Sequence, residues 1–371
     1  MKKDKMADKI GRRIEKGVKI FFINFLSFII PADSKKKLKP IGRIKSVLVI
    51  RPDRLGDFIL TVPAIQLLKK NLPPGAKLTI LCGERGLDIA KMYFPEDRII
   101  LRKKGILNFK MCVLKTAFRH DAVINFHSYP FSMTSAMLTL FTFCGGRVGF
   151  KETEKVKVPL ARKIYNKGIV LNDDAMHETK KNYMLLSVFG ITAEKETLLT
   201  KPAIDGNVKT AVNEYYTSLG LTKKPVIIHP TLMKKDNRWE KERYIQFAKM
   251  AAEAGLPVIA VSGMGEDTQM EEFKMMSGDL KGIHYFPYRK IHHLMALAEK
   301  AACVVCNDSG IMHALSLVSP VLAVFGPSVL SRWKPIGPFN NYCFQKDDGM
   351  CMSVTAEEVI IAVKKYYGNV N

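Results

Sequence analysis

The chain has 371 residues, of which 47% are hydrophobic and 25% are charged. These proportions exclude a fibrous repeat protein and a wholly disordered chain, and the length is typical of two domains of about 150 residues each. The 58 lysines and arginines exceed the 35 acidic residues and leave a net charge of +23. An excess of this size predicts an anionic partner, which is nucleic acid, anionic lipid or a phosphorylated substrate.

The N-terminal segment, residues 1–45, is the most basic region and carries +10 of the net charge. Apolar residues recur at helical spacing from Met6 to Phe25, and an eleven-residue apolar run ends at Pro31. A helix needs about 20 residues to cross a bilayer, so this run is too short to span one. We expect a basic amphipathic helix that stops at Pro31, and we expect residues 1–40 to bind an anionic membrane surface. Packing of this helix on the globular part of the chain is the alternative.

From residue 46 onward, β-rich runs alternate with helical patterns. The runs that resemble buried strands are residues 46–51, 77–82, 121–126, 225–229, 257–262, 303–306 and 320–325. Helical patterns follow most of them, including residues 58–70. Continuous apolar strands that alternate with helices are typical of parallel sheets covered on both faces. Two such series predict an α/β fold with two Rossmann-like domains, residues 46–205 and 206–371.

The seven cysteines are scattered through apolar stretches, which favours a reducing compartment. Cys303 and Cys306 form a C-x-x-C motif, but no second pair of cysteines or histidines stands at zinc spacing. The motif is therefore interpreted as part of a buried strand.

The first strand is followed by the segment RPDRLGD, residues 51–57. Doubly wound sheets bind ligands beyond the carboxyl ends of their strands, so this segment is a candidate site. It lacks the G-x-G-x-x-G pattern of a dehydrogenase. Gly56 allows a tight turn, and Asp57 lies at the predicted start of a helix. From the residues alone, Asp57 is either an N-cap of that helix or a functional carboxylate.

A second candidate is the segment NDSGIMH, residues 307–313, which follows a buried strand and opens a helix. Backbone N–H groups at a helix start bind phosphate. Gly310 would let a ligand approach the backbone, and the Ser309 hydroxyl would donate to a phosphate oxygen. His313, one turn further on, would add a hydrogen bond or a positive charge. An ordinary capped helix is the alternative.

Two weaker signals lie in the same half of the chain. The segment SGMGE, residues 262–266, could hold a nucleoside, with Glu266 accepting hydrogen bonds from ribose hydroxyls. The segment KKDNRW, residues 234–239, places three cations beside a large aromatic residue. It either neutralises a diphosphate or is a solvated charge run that ends in a core tryptophan, Trp239.

Taken together, these segments resemble glycosyltransferase family 9, the lipopolysaccharide heptosyltransferases. Residues 47–64 are similar to the opening strand and the G-D helix start of that family. Residues 238–244, RWEKERY, are similar to its R-W-x-x-E-R segment. Residues 307–313, followed by VFGPS at 324–328, are similar to its N-D-[ST]-G-x-x-H and F-G-P-T regions. The resemblance covers roughly residues 46–366.

The resemblance implies the B-type glycosyltransferase fold, in which two Rossmann-like domains face a cleft and the C-terminal half binds most of the donor. It implies an inverting, metal-independent reaction without a cofactor. A sugar, heptose from ADP-heptose, would pass to a lipid-linked saccharide such as the lipopolysaccharide core. Asp57 carries over as the general base. We expect the helix start to lower its pKa, so that it is ionised at neutral pH.

The resemblance also assigns the remaining site residues. The residues expected to bind the donor diphosphate are Asp308, Ser309, Gly310, His313, Lys235 and Arg238. Gly263 and Glu266 are expected at the nucleoside, and Arg51 and Arg54 at the acceptor.

The first loop departs from the family pattern, because Asp53 and Arg54 stand where small residues are usual, and this leaves the acceptor open. A second position departs from it, because Asn237 stands where a lysine is usual. Lys234 or Lys235 is expected to reach the same phosphate. Three alternatives stay open at this point. They are a different nucleotide sugar or acceptor on the same fold, a basic nucleic-acid-binding module, and a catalytically inactive membrane scaffold. For the enzyme we expect a cytoplasmic protein, peripheral on the inner face of the bacterial inner membrane.

Overall fold

The computed structural model describes residues 38–127, 132–153, 159–193, 199–232 and 235–368. The amphipathic helix predicted from Met6 onward lies outside these residues. Within the described part of the chain, no helix is both long and apolar enough to span a bilayer.

The N-terminal half is built on a parallel sheet of six strands in the order β3-β2-β1-β4-β5-β6. The strands are β1 (Ser46–Arg51), β2 (Lys77–Gly83), β3 (Arg98–Arg102), β4 (Ala122–Asn125), β5 (Gly146–Thr153) and β6 (Lys167–Leu171). The helices are α1 (Leu55–Ile59), α2 (Val62–Asn71), α3 (Leu87–Tyr93), α4 (Ile106–Thr116), α5 (Met133–Leu140), α6 (Pro159–Ile164) and α7 (Glu178–Leu186). Short 3-10 turns occur at Ile41–Arg43, Glu84–Gly86 and Ser187–Phe189.

The C-terminal half carries a second parallel six-stranded sheet, in the order β12-β11-β10-β7-β8-β9. Its strands are β7 (Val226–His229), β8 (Val258–Ala260), β9 (Ile283–Tyr285), β10 (Cys303–Asn307), β11 (Val321–Val324) and β12 (Tyr342–Phe344). Its helices are α8 (Gly206–Ser218), α9 (Lys241–Glu253), α10 (Asp267–Ser277), α11 (Ile291–Ala298), α12 (Gly310–Leu315), α13 (Leu330–Trp333) and α14 (Ala356–Gly368). Further 3-10 turns occur at Lys235–Asn237 and Cys351–Ser353.

Both sheets have the same topology. Read from its other edge, the second sheet is β9-β8-β7-β10-β11-β12, which repeats the third-second-first-fourth-fifth-sixth order of the first sheet. This is the Rossmann order, so the prediction of two Rossmann-like domains is confirmed. The strand order reverses between β1 and β4 and again between β7 and β10. Ligands of such sheets bind at these two reversal points. The predicted domain boundary, residues 205 and 206, falls between the two sheets and just before α8.

The helix predicted over residues 58–70 is two helices, α1 and α2, and that prediction is wrong as a single element. Pro63 lies in the first turn of α2 and has no N–H to donate, so a continuous helix would lose the bond to the Ile59 carbonyl. At the break, the Asp57 carbonyl accepts from the Thr61 hydroxyl at 2.8 Å, while the Thr61 backbone N–H donates to the Phe58 carbonyl. The break leaves α1 as a single short turn that carries Asp57.

The strands that the sequence missed are mostly those away from the sheet centres. In β3, β9 and β12 most residues are half-buried or exposed. They therefore lack the continuous apolar run of a central strand. By contrast, β1, β4, β7 and β10 are buried almost throughout and were predicted.

The packing also settles two ambiguous motifs. Cys303 and Cys306 are both fully buried in β10, and burial raises the pKa of the Cys303 thiol to about 12. Trp239 is fully buried, and its indole N–H donates to the Val354 carbonyl at 2.8 Å. Trp239 is therefore a core residue and does not form a surface on which bases stack.

Candidate active site between the two sheets

A cluster of charges lies at the first reversal point, where β1 and β4 end side by side. The Arg51 guanidinium is buried, donates from Nη1 to the Phe126 carbonyl, and donates from Nη2 to Asp57 Oδ1 at 3.1 Å. Its Nε lies 3.5 Å from Asp53 Oδ2. Asp53 Oδ2 also lies 2.7 Å from His127 Nδ1. The predicted acceptor residue Arg51 thus links two carboxylates, and one of them is the predicted base.

Asp57 is the third residue of α1, and the N-cap position is occupied by Arg54. The interpretation of Asp57 as the N-cap is therefore wrong. Burial raises the pKa of the Asp57 carboxyl, and although the Arg51 charge acts in the opposite direction, the net shift is upward. The expectation of a lowered pKa is wrong, because the desolvation of a side chain that is only 18% exposed outweighs the field of one helical turn.

Asp53 behaves differently from Asp57. Burial works to raise its pKa, but the hydrogen bond with His127 and the Arg51 charge outweigh burial and leave the pKa below its ordinary value. Arg54 is exposed, and its charge lowers the pKa of both carboxyls by a smaller amount than Arg51 does. Asp53 and His127 were not assigned a role from the sequence. The signal available for them was their position just after β1 and β4.

A buried ion cluster joins the two halves behind Asp57. Glu178, the first residue of α7, is fully buried, and its Oε1 accepts from Lys181 Nζ at 3.1 Å and from Arg332 Nε at 2.6 Å. Arg332 belongs to α13 in the C-terminal half. Close by, His177 Nε2 lies 3.0 Å from the Lys334 carbonyl. The negative charge of Glu178 adds to the upward shift of the pKa of Asp57.

At the second reversal point, Asn307 ties the strand ends together. Its Oδ1 accepts from the Trp239 backbone N–H at 2.6 Å, and its Nδ2 donates to the His229 carbonyl at 3.2 Å. Two residues on, Ser309 is the N-cap of α12, and its Oγ accepts from the Met312 N–H at 3.3 Å. The Ser309 hydroxyl accepts in this cap, so its proton is available to an anionic ligand.

His313 is buried on the same helix. Burial lowers the pKa of its imidazole to about 3, so it is neutral at physiological pH. The expectation that it adds a positive charge is therefore wrong, and only hydrogen bonding remains. Its Nδ1 is buried without a hydrogen-bond partner in the described part of the chain.

The two halves touch at a pair of glycines. A Cβ added at Gly310 would lie 2.9 Å from the Leu55 Cβ and 3.1 Å from the Gly56 nitrogen. A Cβ added at Gly56 would lie 2.7 Å from His313 Cδ2. The start of α1 and the start of α12 thus face each other in contact. The structure brings the predicted base, which follows Gly56, to the predicted diphosphate residues on either side of Gly310.

Asn237, which replaces the usual family lysine, holds this turn in place. Its Nδ2 donates to Asp308 Oδ2 at 2.7 Å and to Ser328 Oγ at 2.6 Å. Arg238 donates from Nε to the Leu232 carbonyl at 3.0 Å, so its guanidinium is bound to its own loop. Lys234 and the Lys235 side chain lie outside the part of the chain that the structure describes.

The predicted nucleoside residues lie beside α12. Glu266 Oε2 accepts from the Gly263 N–H at 2.7 Å and from the Thr231 hydroxyl at 2.6 Å, and lies 2.9 Å from His229 Nε2. Burial acts to raise its pKa, but these donors outweigh burial and lower the pKa to about 2. A Cβ on Gly263 would lie 2.7 Å from Ile311 Cδ1, which fixes this turn against α12. His229 and Thr231 were missed, although both lie at the end of β7.

A family model for glycosyltransferase family 9 (heptosyltransferase) matches residues 116–358, well over half of the chain. The chain belongs to glycosyltransferase family 9. The match confirms the resemblance and makes the protein a glycosyltransferase. Among the residues that the structure describes, no group of three or more histidine, cysteine or acidic side chains is arranged to hold a metal ion.

Known proteins are similar to this glycosyltransferase over most of its length. A Haemophilus influenzae protein assigned as a glycosyltransferase is 25% identical over 322 residues, covering 81% of this chain and 88% of that protein. The family 9 glycosyltransferase of Veillonella parvula has a TM-score of 0.72 at 19% identity, covering 89% of this chain and 98% of that one. The Escherichia coli heptosyltransferase WaaC, solved with ADP, has a TM-score of 0.68 at 17% identity, covering 86% of this chain and 99% of that one. These similarities confirm the B-type fold.

Proposed function

We propose that this glycosyltransferase is an inverting heptosyltransferase. It transfers heptose from ADP-heptose to a lipid-linked saccharide such as the lipopolysaccharide core, without a metal ion or a cofactor. Two facts support the donor: the family that the chain belongs to, and the ADP in the structure of the similar WaaC. The observation that carries the proposal is the contact between Gly56 and the start of α12. It puts the partly buried carboxylate of Asp57 next to a helix start that can bind a diphosphate.

In the proposed reaction, Asp57 accepts the proton of an acceptor hydroxyl. Its Oδ1 is held by Arg51, which fixes the carboxylate at the floor of the cleft. Its raised pKa makes it a stronger base than an ordinary aspartate. The acceptor oxygen attacks the anomeric carbon, the bond from that carbon to the diphosphate breaks, and ADP leaves with the electron pair. One displacement inverts the configuration at that carbon.

The leaving diphosphate would be stabilised from the other side of the cleft. The free N–H groups at the start of α12 and the Ser309 hydroxyl face developing negative charge there. Asn237 orders this turn through Asp308 and Ser328. His313 contributes a hydrogen bond as a neutral imidazole. Glu266, ionised and held by three donors, offers its second oxygen, Oε1, to a ribose hydroxyl.

The test begins with thermal unfolding in the presence of ADP, UDP and GDP at matched concentrations. A ligand that binds only the folded state at 100 times its Kd stabilises it by about 2.7 kcal/mol. We expect a rise in Tm with ADP alone. Turnover of ADP-heptose on a lipid-linked core saccharide is then measured with and without EDTA, and the product anomer is assigned by NMR. A rise with UDP or GDP alone would overturn the donor, and loss of turnover in EDTA would overturn the metal-independent reaction.

We further propose that the enzyme works at the inner face of the inner membrane and is held there by residues 1–40. The support is the sequence of this segment, with its charge and its apolar run. Removal of residues 1–37, which end before the packed Leu38 and the ion pair of Lys39 with Asp121, should weaken binding to anionic vesicles and leave the Tm of the two-sheet body unchanged. A large fall in Tm would instead show that the segment packs on the body.

A further inference from the structure

Helix α4 has two apolar faces, and one of them is exposed. Its inner face packs against β3 and α5. On the opposite face, Leu107, Met111 and Leu114 are 74%, 44% and 67% exposed, and Phe118 just beyond the helix is 79% exposed. Their spacing of four, three and four residues places them in one row, which we call the outer stripe. A helix at the surface of a soluble domain normally carries polar residues on this face.

The end of the outer stripe is held in a strained conformation. Phe118 and Phe143 both have positive φ, 58° and 53°, a region that bulky residues rarely adopt. Their rings stack with centroids 4.6 Å apart and planes 4° from parallel. The Phe118 N–H donates to the Thr142 carbonyl at 2.9 Å, which locks the two loops together. Strain of this kind persists where the surrounding contacts enforce it, and here the contacts hold two aromatic rings together at the surface.

The segment that carries the outer stripe has charges of a single sign. Residues 98–120 contain seven lysines and arginines and no acidic residue. Lys110 and Lys115 lie on either side of the stripe on the helical wheel, and neither takes part in an ion pair in the described part of the chain. An apolar row bordered by lysines is the pattern of a helix that lies in the headgroup region of an anionic bilayer.

We propose that the outer stripe together with Phe143 is a membrane-contact surface that inserts into the headgroup region of an anionic bilayer. This surface is distinct from the N-terminal segment. The charges argue against other occupants, because a second copy would bring two basic surfaces together and residues 1–45 carry +10 themselves. Leu107 lies just after the carboxyl end of β3, the edge of the sheet on which Asp57 lies. Phe118 and Phe143 precede β4 and β5, so the outer stripe runs along the side of the N-terminal half, and its Leu107 end is the end nearer the edge that carries Asp57.

This inference extends the proposed function by naming a surface that brings the enzyme to a lipid-linked acceptor. Its test uses neither donor nor acceptor, so it can fail while the proposed reaction stands, and the reverse. The full chain is used throughout, because residues 1–40 are expected to add affinity of their own.

The direct test places a tryptophan in the outer stripe. The Leu114→Trp variant is mixed with vesicles of phosphatidylcholine and phosphatidylglycerol, and its fluorescence is recorded. The matched control is Met275→Trp on α10, because Met275 is 75% exposed on the C-terminal half. We expect a blue shift and quenching by brominated lipid for Leu114→Trp and neither for the control. The same response from both variants, or none from Leu114→Trp, would overturn the proposal.

A second test measures the partition coefficient between buffer and the same vesicles. Replacing Leu107 and Leu114 together by aspartate should lower it at least about tenfold, because two apolar side chains leave the lipid. The control replaces the exposed Met275 and Ile361 by aspartate and should change it little. Analytical ultracentrifugation without lipid tests the alternative occupant, a second copy of the chain, by measuring self-association. Self-association that the stripe variant abolishes would assign the stripe to a second copy of the chain and overturn the proposal.

Discussion

The two reversal points have the same strand order and opposite electrostatics. Beyond the carboxyl ends of β1 and β4, Arg51 lies between two carboxylates, those of Asp53 and Asp57. Burial raises the pKa of Asp57 more than the Arg51 charge lowers it. Beyond the carboxyl ends of β7 and β10, burial acts to raise the pKa of Glu266. The electrostatic attraction of His229 and the hydrogen bonds with His229, Thr231 and Gly263 outweigh burial and lower this pKa to about 2. Both sites come from one topology. The burial and the hydrogen-bond partners of each carboxylate, and not the strand order, therefore decide whether it is a reactive base or a stable anion.

The opposite pKa shifts of Glu266 and Asp57 make the stability of the fold depend on pH in opposite directions. The folded-state pKa of Glu266 lies below its ordinary value of 4.5, so its contribution is present above 4.5 and is lost as the pH falls towards about 2. The folded-state pKa of Asp57 lies above its ordinary value of 3.8, so its contribution is present below 3.8 and is lost as the pH rises through the folded value. At neutral pH the ionised Asp57 therefore lowers the free energy of unfolding, and we attribute its presence to function.

The largest expected effect comes from Asp57→Asn. Loss of a general base should lower the transfer rate by about 10²- to 10⁴-fold. The same change removes a buried charge, so the Tm at neutral pH should not fall. Rate and Tm are measured on the same preparation, with ADP binding as the control, which should stay near wild type. Full turnover would remove the base assignment, and a lower Tm would show that Arg51 needs the Asp57 charge.

The next effect tests the ion cluster that joins the halves. Glu178→Gln leaves Lys181 and Arg332 without their carboxylate partner, and Lys181 is fully buried. Breaking a buried pair in this way costs about 3–5 kcal/mol. Urea unfolding measures the loss, with Glu271→Gln as the matched control, since Glu271 pairs with Lys274 on the surface. We expect no measurable change in the control. Equal stability of both variants would mean that the cluster adds nothing to the fold.

A smaller effect is expected at the contact between the two helix starts. In Gly310→Ala, the new Cβ meets backbone at Gly56 and the Leu55 side chain, and overpacking of this kind costs about 1–3 kcal/mol. The matched control is Gly206→Ala at the start of α8, where nothing lies within 4 Å of the added atom. That variant should be neutral or slightly more stable, as measured by Tm. A neutral Gly310→Ala would show that the two halves separate without cost.

An element could be predicted where its burial gives the sequence a recognisable pattern. Buried central strands leave a continuous apolar run, so β1, β7 and β10 were found and the fold followed from them. The edge strands β3 and β12 leave no such run and were missed. The single predicted helix at residues 58–70 failed because Pro63 was not weighed as a breaker.

The site was predicted where one segment carries it and missed where distant segments meet. Asp57 and Ser309 follow strands directly, which made them candidates. The ion pair of Glu178 with Arg332 joins residues 154 positions apart, and no local pattern predicts it. The direction of the Asp57 pKa was wrong for the same reason. The position of a residue in a helix can be predicted from the local sequence, whereas desolvation depends on everything that packs around the carboxyl.

The smallest expected effect is a shift in the pH profile of kcat/KM, which separates the effect of burial on the pKa of Asp57 from the effect of the exposed charge of Arg54. Raising the pKa of Asp57 moves the acid limb of the kcat/KM profile above that of an ordinary aspartate, because the base must be ionised. Arg54→Gln removes a charge that lowers this pKa, so the limb should move slightly higher still. Arg54 is exposed, and the field of an exposed charge decays over a Debye length of about 10 Å at 0.1 M salt and over a shorter length in high salt. The difference between Arg54→Gln and wild type should therefore shrink in high salt. The wild-type limb itself should persist, because the desolvation that sets it is not screened. A wild-type limb that falls to the ordinary aspartate range in high salt would show that the negative charges of Asp53 and Glu178, which salt would then be screening, raise the pKa of Asp57, and that burial does not.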